Sequence, residues 1–327
     1  MMRNGVLQVS YIVWCLIMLC VSSVPAWAGE VPVLALSYGN EPDQVQFFNK
    51  KNQPGNQEPS ALGPLAFRVV GQEFWVLDSV GGRVLQVVGG KVVARLVVPP
   101  VAGHALLQDL ALVRDAAGKV TAVWVIDGTA NRLVKMSLDG KVAQVIDGKG
   151  AKPGRLAQPQ RLEVDAAGRL YVADVARRLI VVFAAGGEML RERAWEWSGL
   201  CLDGAGHLCV LQWDPAAKVT HLVRETFDGK PVSDVALALP DHVNPRLLFM
   251  TGDDEPVLTF EPATGTQASP VLARCDSKGR PTTTAVVVPR AMNRYLEPGT
   301  GRQAWLASAD HEAAPTGKFA VGGHTLP

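Results

Sequence analysis

The sequence predicts an all-β protein assembled from repeated four-stranded units, and three observations predict it. First, an apolar strand ending in Asp recurs. It reads Phe74-Trp75-Val76-Leu77-Asp78, then Val123-Trp124-Val125-Ile126-Asp127, then Leu170-Tyr171-Val172-Ala173-Asp174, with a degraded copy at Leu208-Cys209-Val210-Leu211-Gln212. The three Asp residues stand 49 and 47 positions apart, a period read as propeller blades or similar arrays. Second, turn signals recur in step with these strands. Third, helical periodicity is nearly absent.

Composition agrees with a folded, exported chain. Of 327 residues 48% are apolar and 19% charged, with 32 Gly and 22 Pro. That excludes disorder and collagen. With 32 Lys plus Arg against 31 Asp plus Glu, there is no basic stripe to neutralise phosphates, so nucleic acid is not an expected partner. Arg3 and the apolar run from Tyr11 to Val21, followed by Pro25 and Ala26-Trp27-Ala28, read as a signal peptide cleaved after Ala28. The run is too short to span a bilayer, which takes about 20 apolar residues. The mature chain is therefore expected to be secreted or periplasmic, without stable membrane insertion. Cleavage removes Cys15 and Cys20 and leaves Cys201, Cys209 and Cys275. An odd count in an oxidising compartment leaves at least one thiol free or paired between molecules.

Each repeated unit divides into four strands by its turns. Asp115-Ala-Ala-Gly118, Asp165-Ala-Ala-Gly168 and Asp203-Gly-Ala-Gly206 precede the Asp-terminated strands. In such a turn Asp accepts hydrogen bonds from the loop backbone and Gly takes the left-handed position. After each Asp a second hairpin leads to Arg83–Val87, Arg132–Met136 and Arg178–Phe183. Gly89-Gly90, Asp139-Gly140, Gly186-Gly187 and Asp228-Gly229 mark a third turn before the outermost strand. A four-stranded unit of this length cannot bury both faces alone, and stacking the units in a ring solves that.

The stretch from Gly148 through Gly154, Pro159 and Asp165, continued by Gly168 to Phe183, resembles the linker and blade of NHL-repeat proteins. Gly63 to Val87 resembles a second copy. The resemblance is clear over about residues 63–230. Beyond it, Asn244–Phe249 with Val257–Phe260 gives a faint fifth unit, and Asn293–Tyr295 with Ala304–Ala307 a fainter sixth. The resemblance implies a β-propeller of six blades of four antiparallel strands, with five blades the alternative count. The expected organisation is a signal peptide over 1–28, an N-terminal segment over 29–62 and the propeller over 63–327. The ring-closing strand is expected at Val31–Leu36 or Gln44–Phe48.

Familiar catalytic motifs fail. Gly148, Gly150 and Gly154 have the wrong spacing for a dinucleotide loop and precede strands, and no Gly-Lys pair continues into Ser or Thr. His311-Glu312 begins like a zinc-protease motif, but Pro315 stands where the second His belongs. The Asp78–Arg83, Asp127–Arg132 and Asp174–Arg178 spacings read as turn-stapling surface pairs worth about 0–1 kcal/mol.

Symmetry breaking on the innermost strands is the better pointer to a site. Matching positions carry Arg68, Glu163 and Cys201, and two residues earlier Asp109 and Arg161. Charges there must pair between blades or face water. Arg68, Asp109, Arg161 and Glu163 are the candidate channel residues for a polar ligand. Trp195 and Trp197 alternate on one face, as inter-blade packing or as a stacking platform. Counting outward from Gly204-Ala-Gly206 places Cys201 opposite Cys209, within reach of a disulfide that a hydrogen-bonded register would strain.

The expected function is a non-catalytic exported scaffold that binds a protein or a small polar ligand without a cofactor. The alternative is a propeller enzyme of lactonase or lyase type with an axial Ca or Zn site.

Overall fold

The computed structural model describes residues 33–52, 61–101, 103–147, 154–196, 198–263, 270–289 and 291–327. The expected leader over residues 1–28 lies outside them, as do Gly148, Gly150 and Trp197. The described residues form 24 strands and no helix, arranged as six four-stranded antiparallel sheets.

The N-terminal strand is β1 (Leu34–Ser37). Blade 1 follows, with β2 (Ala66–Val70), β3 (Glu73–Asp78), β4 (Arg83–Val88) and β5 (Lys91–Val97). Blade 2 is β6 (Leu107–Arg114), β7 (Val120–Asp127), β8 (Arg132–Ser137) and β9 (Val142–Asp147). Blade 3 is β10 (Pro159–Val164), β11 (Leu170–Asp174), β12 (Leu179–Phe183) and β13 (Met189–Ala194). Blade 4 is β14 (Cys201–Leu202), β15 (Leu208–Asp214), β16 (Val219–Glu225) and β17 (Pro231–Leu237). Blade 5 is β18 (His242–Met250), β19 (Pro256–Pro262), β20 (Val271–Cys275) and β21 (Pro281–Ala285). Blade 6 is β22 (Leu296–Pro298), β23 (Gln303–Ser308) and β24 (Lys318–Thr325), completed on its outer edge by β1. The protein is thus a six-bladed β-propeller.

Chain ends from opposite extremes of the sequence share blade 6. Leu34 pairs with Val321 and Ser37 with Lys318. Tyr38 and Asn49 then bind the loop between β23 and β24. The Tyr38 hydroxyl lies 3.0 Å from His311 Nδ1, and Asn49 Nδ2 donates to the carbonyls of His311 and Ala314 at 3.0 and 2.9 Å. Asn293–Tyr295, expected to belong to the sixth unit, directly precede its inner strand, which begins at Leu296. Those three residues form the approach to the strand, where the Asn293 and Arg294 amides both donate to the Leu65 carbonyl.

Turn chemistry fixes the registers. In the third blade the Gly168 amide donates to the Asp165 carbonyl and the Asp165 amide to the Arg169 carbonyl, with Gly168 at φ +79. This is the three-residue loop with a glycine bulge. The matching turn in blade 4 sets Cys201 opposite Cys209 and Leu202 opposite Leu208, the register obtained by counting from the loop.

The core lies between blades rather than within them. Alternation along each second strand sends Trp75, Trp124 and Tyr171 toward the following blade, all essentially inaccessible to solvent. Their neighbours Phe74 and Val76 face the preceding blade. Each sheet is therefore buried on both faces, as stacking requires. Trp195 belongs to the core between blades 3 and 4, its indole N–H donating to the Gly199 carbonyl at 3.1 Å.

Candidate functional site on the propeller axis

The innermost strands converge, and their charged side chains fill the axis. Arg294, just before β22, reaches across it. Its Nε and Nη2 donate to both carboxylate oxygens of Asp109 on β6 at 3.1 and 2.9 Å. Its Nη2 also lies 3.0 Å from Glu163 on β10, and its Nη1 3.4 Å from Glu297 on β22. Arg68 on β2 binds Glu163 at 2.6 Å and Glu297 at 3.3 Å, with further bonds to the Leu110 and Leu162 carbonyls. The four residues expected to line a channel are thus brought together. Arg68, Asp109 and Glu163 are cross-braced by guanidinium–carboxylate pairs.

Arg161 sits in the same cluster with different partners. Its Nη1 and Nη2 donate to the Asn293 and Leu248 carbonyls, both at 3.0 Å. Arg246 on β18 donates to the same Asn293 carbonyl at 2.6 Å and to the Asn293 side-chain oxygen at 2.8 Å. The Asn293 amide in turn donates to the Gln160 and Gln108 carbonyls at 2.6 and 3.3 Å. Asn293 therefore ties together the inner strands of blades 2, 3 and 5 at the end where they begin, here the upper mouth.

The electrostatics follow from burial and charge count. Burial pushes the carboxyls of Asp109 and Glu163 up, but Arg294, with help from Arg68 and Arg161, holds both below the ordinary carboxylate range. Burial also disfavours the Arg294 cation, and Asp109, Glu163 and Glu297 outweigh it, so this guanidinium stays charged. Arg161 is brought down to about 9 by burial and by the neighbouring Arg294 charge. Four guanidinium groups thus meet three carboxylates, and the surplus lies at Arg161 and Arg246.

At the lower mouth, where the inner hairpins turn, Arg68 and Glu163 border a cavity of about 350 Å³ with Arg114, Asp115 and Asp165. The two aspartates are committed to their own turns, each accepting backbone N–H bonds at 2.9–3.0 Å. Arg114 is lowered by burial and by the charge of Arg68.

Other sequence candidates resolve into structural roles. Asp78 and Asp127 do pair with Arg83 and Arg132, at 2.8 and 2.9 Å, but these are not surface pairs. Both carboxylates are buried, because the turn folds inward and backbone amides of Gly81 and Ala130 complete their shells. Asp174 accepts the amides of Ala157, Gln158 and Arg177. His207 binds Asp203 at 2.9 Å in the place where Arg169 binds Asp165 at 2.6 Å, so it too staples a turn. Cys201 and Cys209 are buried free thiols on one sheet face, and burial next to Cys209 raises the Cys201 thiol well above its usual value.

Arg294, Glu297, Arg246 and Asn293 escaped the sequence comparison because the last two blades could not be aligned by motif. One signal was present. Glu297 faces Trp305 across its hairpin as Arg68 faces Trp75 and Glu163 faces Tyr171. Among the described residues, no three His, Cys, Asp or Glu side chains group to hold a metal ion.

No protein-family model and no curated protein sequence matches this chain. Solved structures share its architecture. Virginiamycin B lyase from Staphylococcus aureus is 15% identical over 86% of this chain and 88% of its own, with a TM-score of 0.51. A catalytically inactive variant of the Staphylococcus aureus lyase, solved with quinupristin, is 17% identical over 80% and 81%, with a TM-score of 0.52. Hydrazine synthase from Kuenenia stuttgartiensis is 12% identical over 81% and 87%, with a TM-score of 0.50. These likenesses are to the fold, and a fold hosts many activities.

Proposed function

We propose that this chain is an exported propeller of NHL-repeat type that serves as a non-catalytic scaffold, binding a protein or a small polar ligand at its mouths. The observation that carries this reading is the state of the axis. Asp109, Glu163 and Glu297 are the carboxylates an axial metal or acid–base mechanism would draw on, and each is already bound by Arg294 or Arg68. A guanidinium in each coordination sphere competes with any cation for the same oxygens. The reading of export rests on the apolar run and the Ala26-Trp27-Ala28 site, and the NHL assignment on the linker and blade spanning residues 148–183.

Metal analysis of the exported protein, purified without chelator, tests the reading. Substoichiometric Ca and Zn, with a melting temperature unmoved by chelator, is expected. One tightly held equivalent whose removal lowers the melting temperature overturns it in favour of a lactonase- or lyase-type centre.

A further inference from the structure

Between blades 4 and 5 the upper mouth opens into a cavity of about 390 Å³ bordered by Glu196, Ser198, Trp213, Thr220, Asn244 and Arg246. Its size falls in the range of small-molecule sites, about 300–1,000 Å³. Three features give it chemical character. Arg246 spends only Nη2 on Asn293, and its Nε and Nη1 have no partner among the described residues. The Arg246 and Arg161 guanidinium groups meet on one neutral oxygen, the Asn293 carbonyl, and neither has a carboxylate within ion-pair distance among the described residues. A nearby anion would relieve that juxtaposition of like charges.

The second feature is Glu196. One carboxylate oxygen accepts the Trp213 amide at 3.1 Å, and the other has no partner among the described residues. Glu196 and Arg246 border the same cavity without pairing to each other, so opposite charges face the space separately. The third is Trp213, a residue 43% exposed although its ring is anchored edge-on against His242. His242 is itself fixed by Thr220 at 2.8 Å and by the Pro240 carbonyl at 2.7 Å. An exposed, braced indole offers a flat face at little entropic cost.

We propose that this cavity binds a small ring-bearing carboxylate that also carries hydroxyl or ammonium donors. The carboxylate lies on Arg246, the donors reach Glu196, and the ring packs on Trp213. Sugar acids and aromatic amino acids share this chemistry. The proposal rests on the scaffold reading above and adds a ligand class to it.

The mature protein is titrated with glucuronate and with phenylalanine, followed by ligand-observed NMR and thermal shift. Glucose and phenylalaninamide serve as carboxylate-free controls. At least one of the two carboxylates is expected to bind, and which one distinguishes a sugar acid from an amino acid. Arg246→Gln is expected to weaken binding by about tenfold or more, the worth of a charge-assisted hydrogen bond. Trp213→Leu, a change at an exposed position, is expected to weaken it about threefold or more. Circular dichroism and melting temperature establish that both variants are folded. If Arg246→Gln is not, Trp213→Leu carries the test.

Failure of both carboxylates to bind, equal binding of the controls, or binding unchanged in the folded variants overturns the site. Those outcomes leave the scaffold reading standing. A probe that binds with the expected variant losses and is then chemically converted supports the site and overturns the scaffold reading instead.

Discussion

Acid should loosen the closure of this ring through one histidine. His311 is 4% exposed, its Nδ1 lies 3.0 Å from the Tyr38 hydroxyl, and the Gly63 backbone packs against its ring. It thereby joins the N-terminal segment to blade 6. Burial lowers it from its ordinary 6.5 to about 4, with Asp310 and the Pro64 carbonyl opposing only in part. Burial also keeps the Tyr38 phenol protonated, so the neutral pair is the folded state's form.

A base lowered on folding contributes stability that is complete above its unfolded value and lost as pH falls toward its folded value. Between pH 6.5 and about 4 the unfolded chain binds a proton that the native one refuses. At 1.36 kcal/mol per pH unit the full window amounts to about 3 kcal/mol, of which about 2 kcal/mol is lost by pH 5. Urea unfolding at pH 7.5 and pH 5, on the mature protein and on His311→Gln, isolates it. Glutamine can still hydrogen-bond Tyr38 but does not titrate, so the wild type should lose about 2 kcal/mol more than the variant across that interval. Equal losses in the two proteins would refute the assignment.

Removing Asp109 leaves Arg294 and its neighbours as uncompensated buried charge, so Asp109→Ala should cost about 3–5 kcal/mol in chemical denaturation. Gly199 sits at φ +77 against the Leu247 carbonyl, where a Cβ would overlap backbone. Gly199→Ala should therefore lower the melting temperature far more than Gly204→Ala, where space is open. Thiol titration of the denatured, unreduced mature protein should count Cys201, Cys209 and Cys275 as free, and a single thiol would mean that Cys201 and Cys209 are bonded. N-terminal sequencing of the exported protein should begin at Gly29.

The propeller was legible where its turns are locally encoded. Asp165 and Gly168 define a loop that can be read without knowing what the strands pack against. Blade 5 was faint because its corresponding turn uses Thr251 for the Asp and Asp254, at φ +64, for the Gly. The inner strand of blade 6 is only three residues long, too short to show alternation. Half of the axial network was legible for a related reason. Arg68, Asp109, Arg161 and Glu163 stand out as charges in otherwise apolar slots, which is improbable without partners. Their partners Arg294 and Glu297 lie over 130 residues downstream of Glu163, in the blade whose register the motif could not supply. The double tryptophan near blade 4 drew attention to Trp195, which is core, whereas the exposed indole at the mouth is Trp213. Nothing in strand alternation distinguishes the two, because Trp213 lies near the end of β15, where the next blade covers only one edge of the indole.

The asymmetry of the axis accounts for where the upper cavity lies. Blades 1, 2, 3, 5 and 6, or the segments leading into them, each contribute a charged or amide side chain to the central network. Blade 4 contributes none among the described residues. Its inner strand is two residues long and is preceded by Ser198 and Gly199, and Gly199 lets the backbone approach Leu247 closely enough for a 2.7 Å bond between the Leu247 amide and the Ser198 carbonyl. Backbone contact there replaces side-chain bracing. Small residues at that point leave the space above them unfilled, and Arg246 borders it from the neighbouring blade. The place where the inner strand is shortest is therefore the place where the ring has both a void and an unspent cation. That arrangement suits the scaffold proposed above, in which the blades supply stiffness and one interruption of them supplies the site.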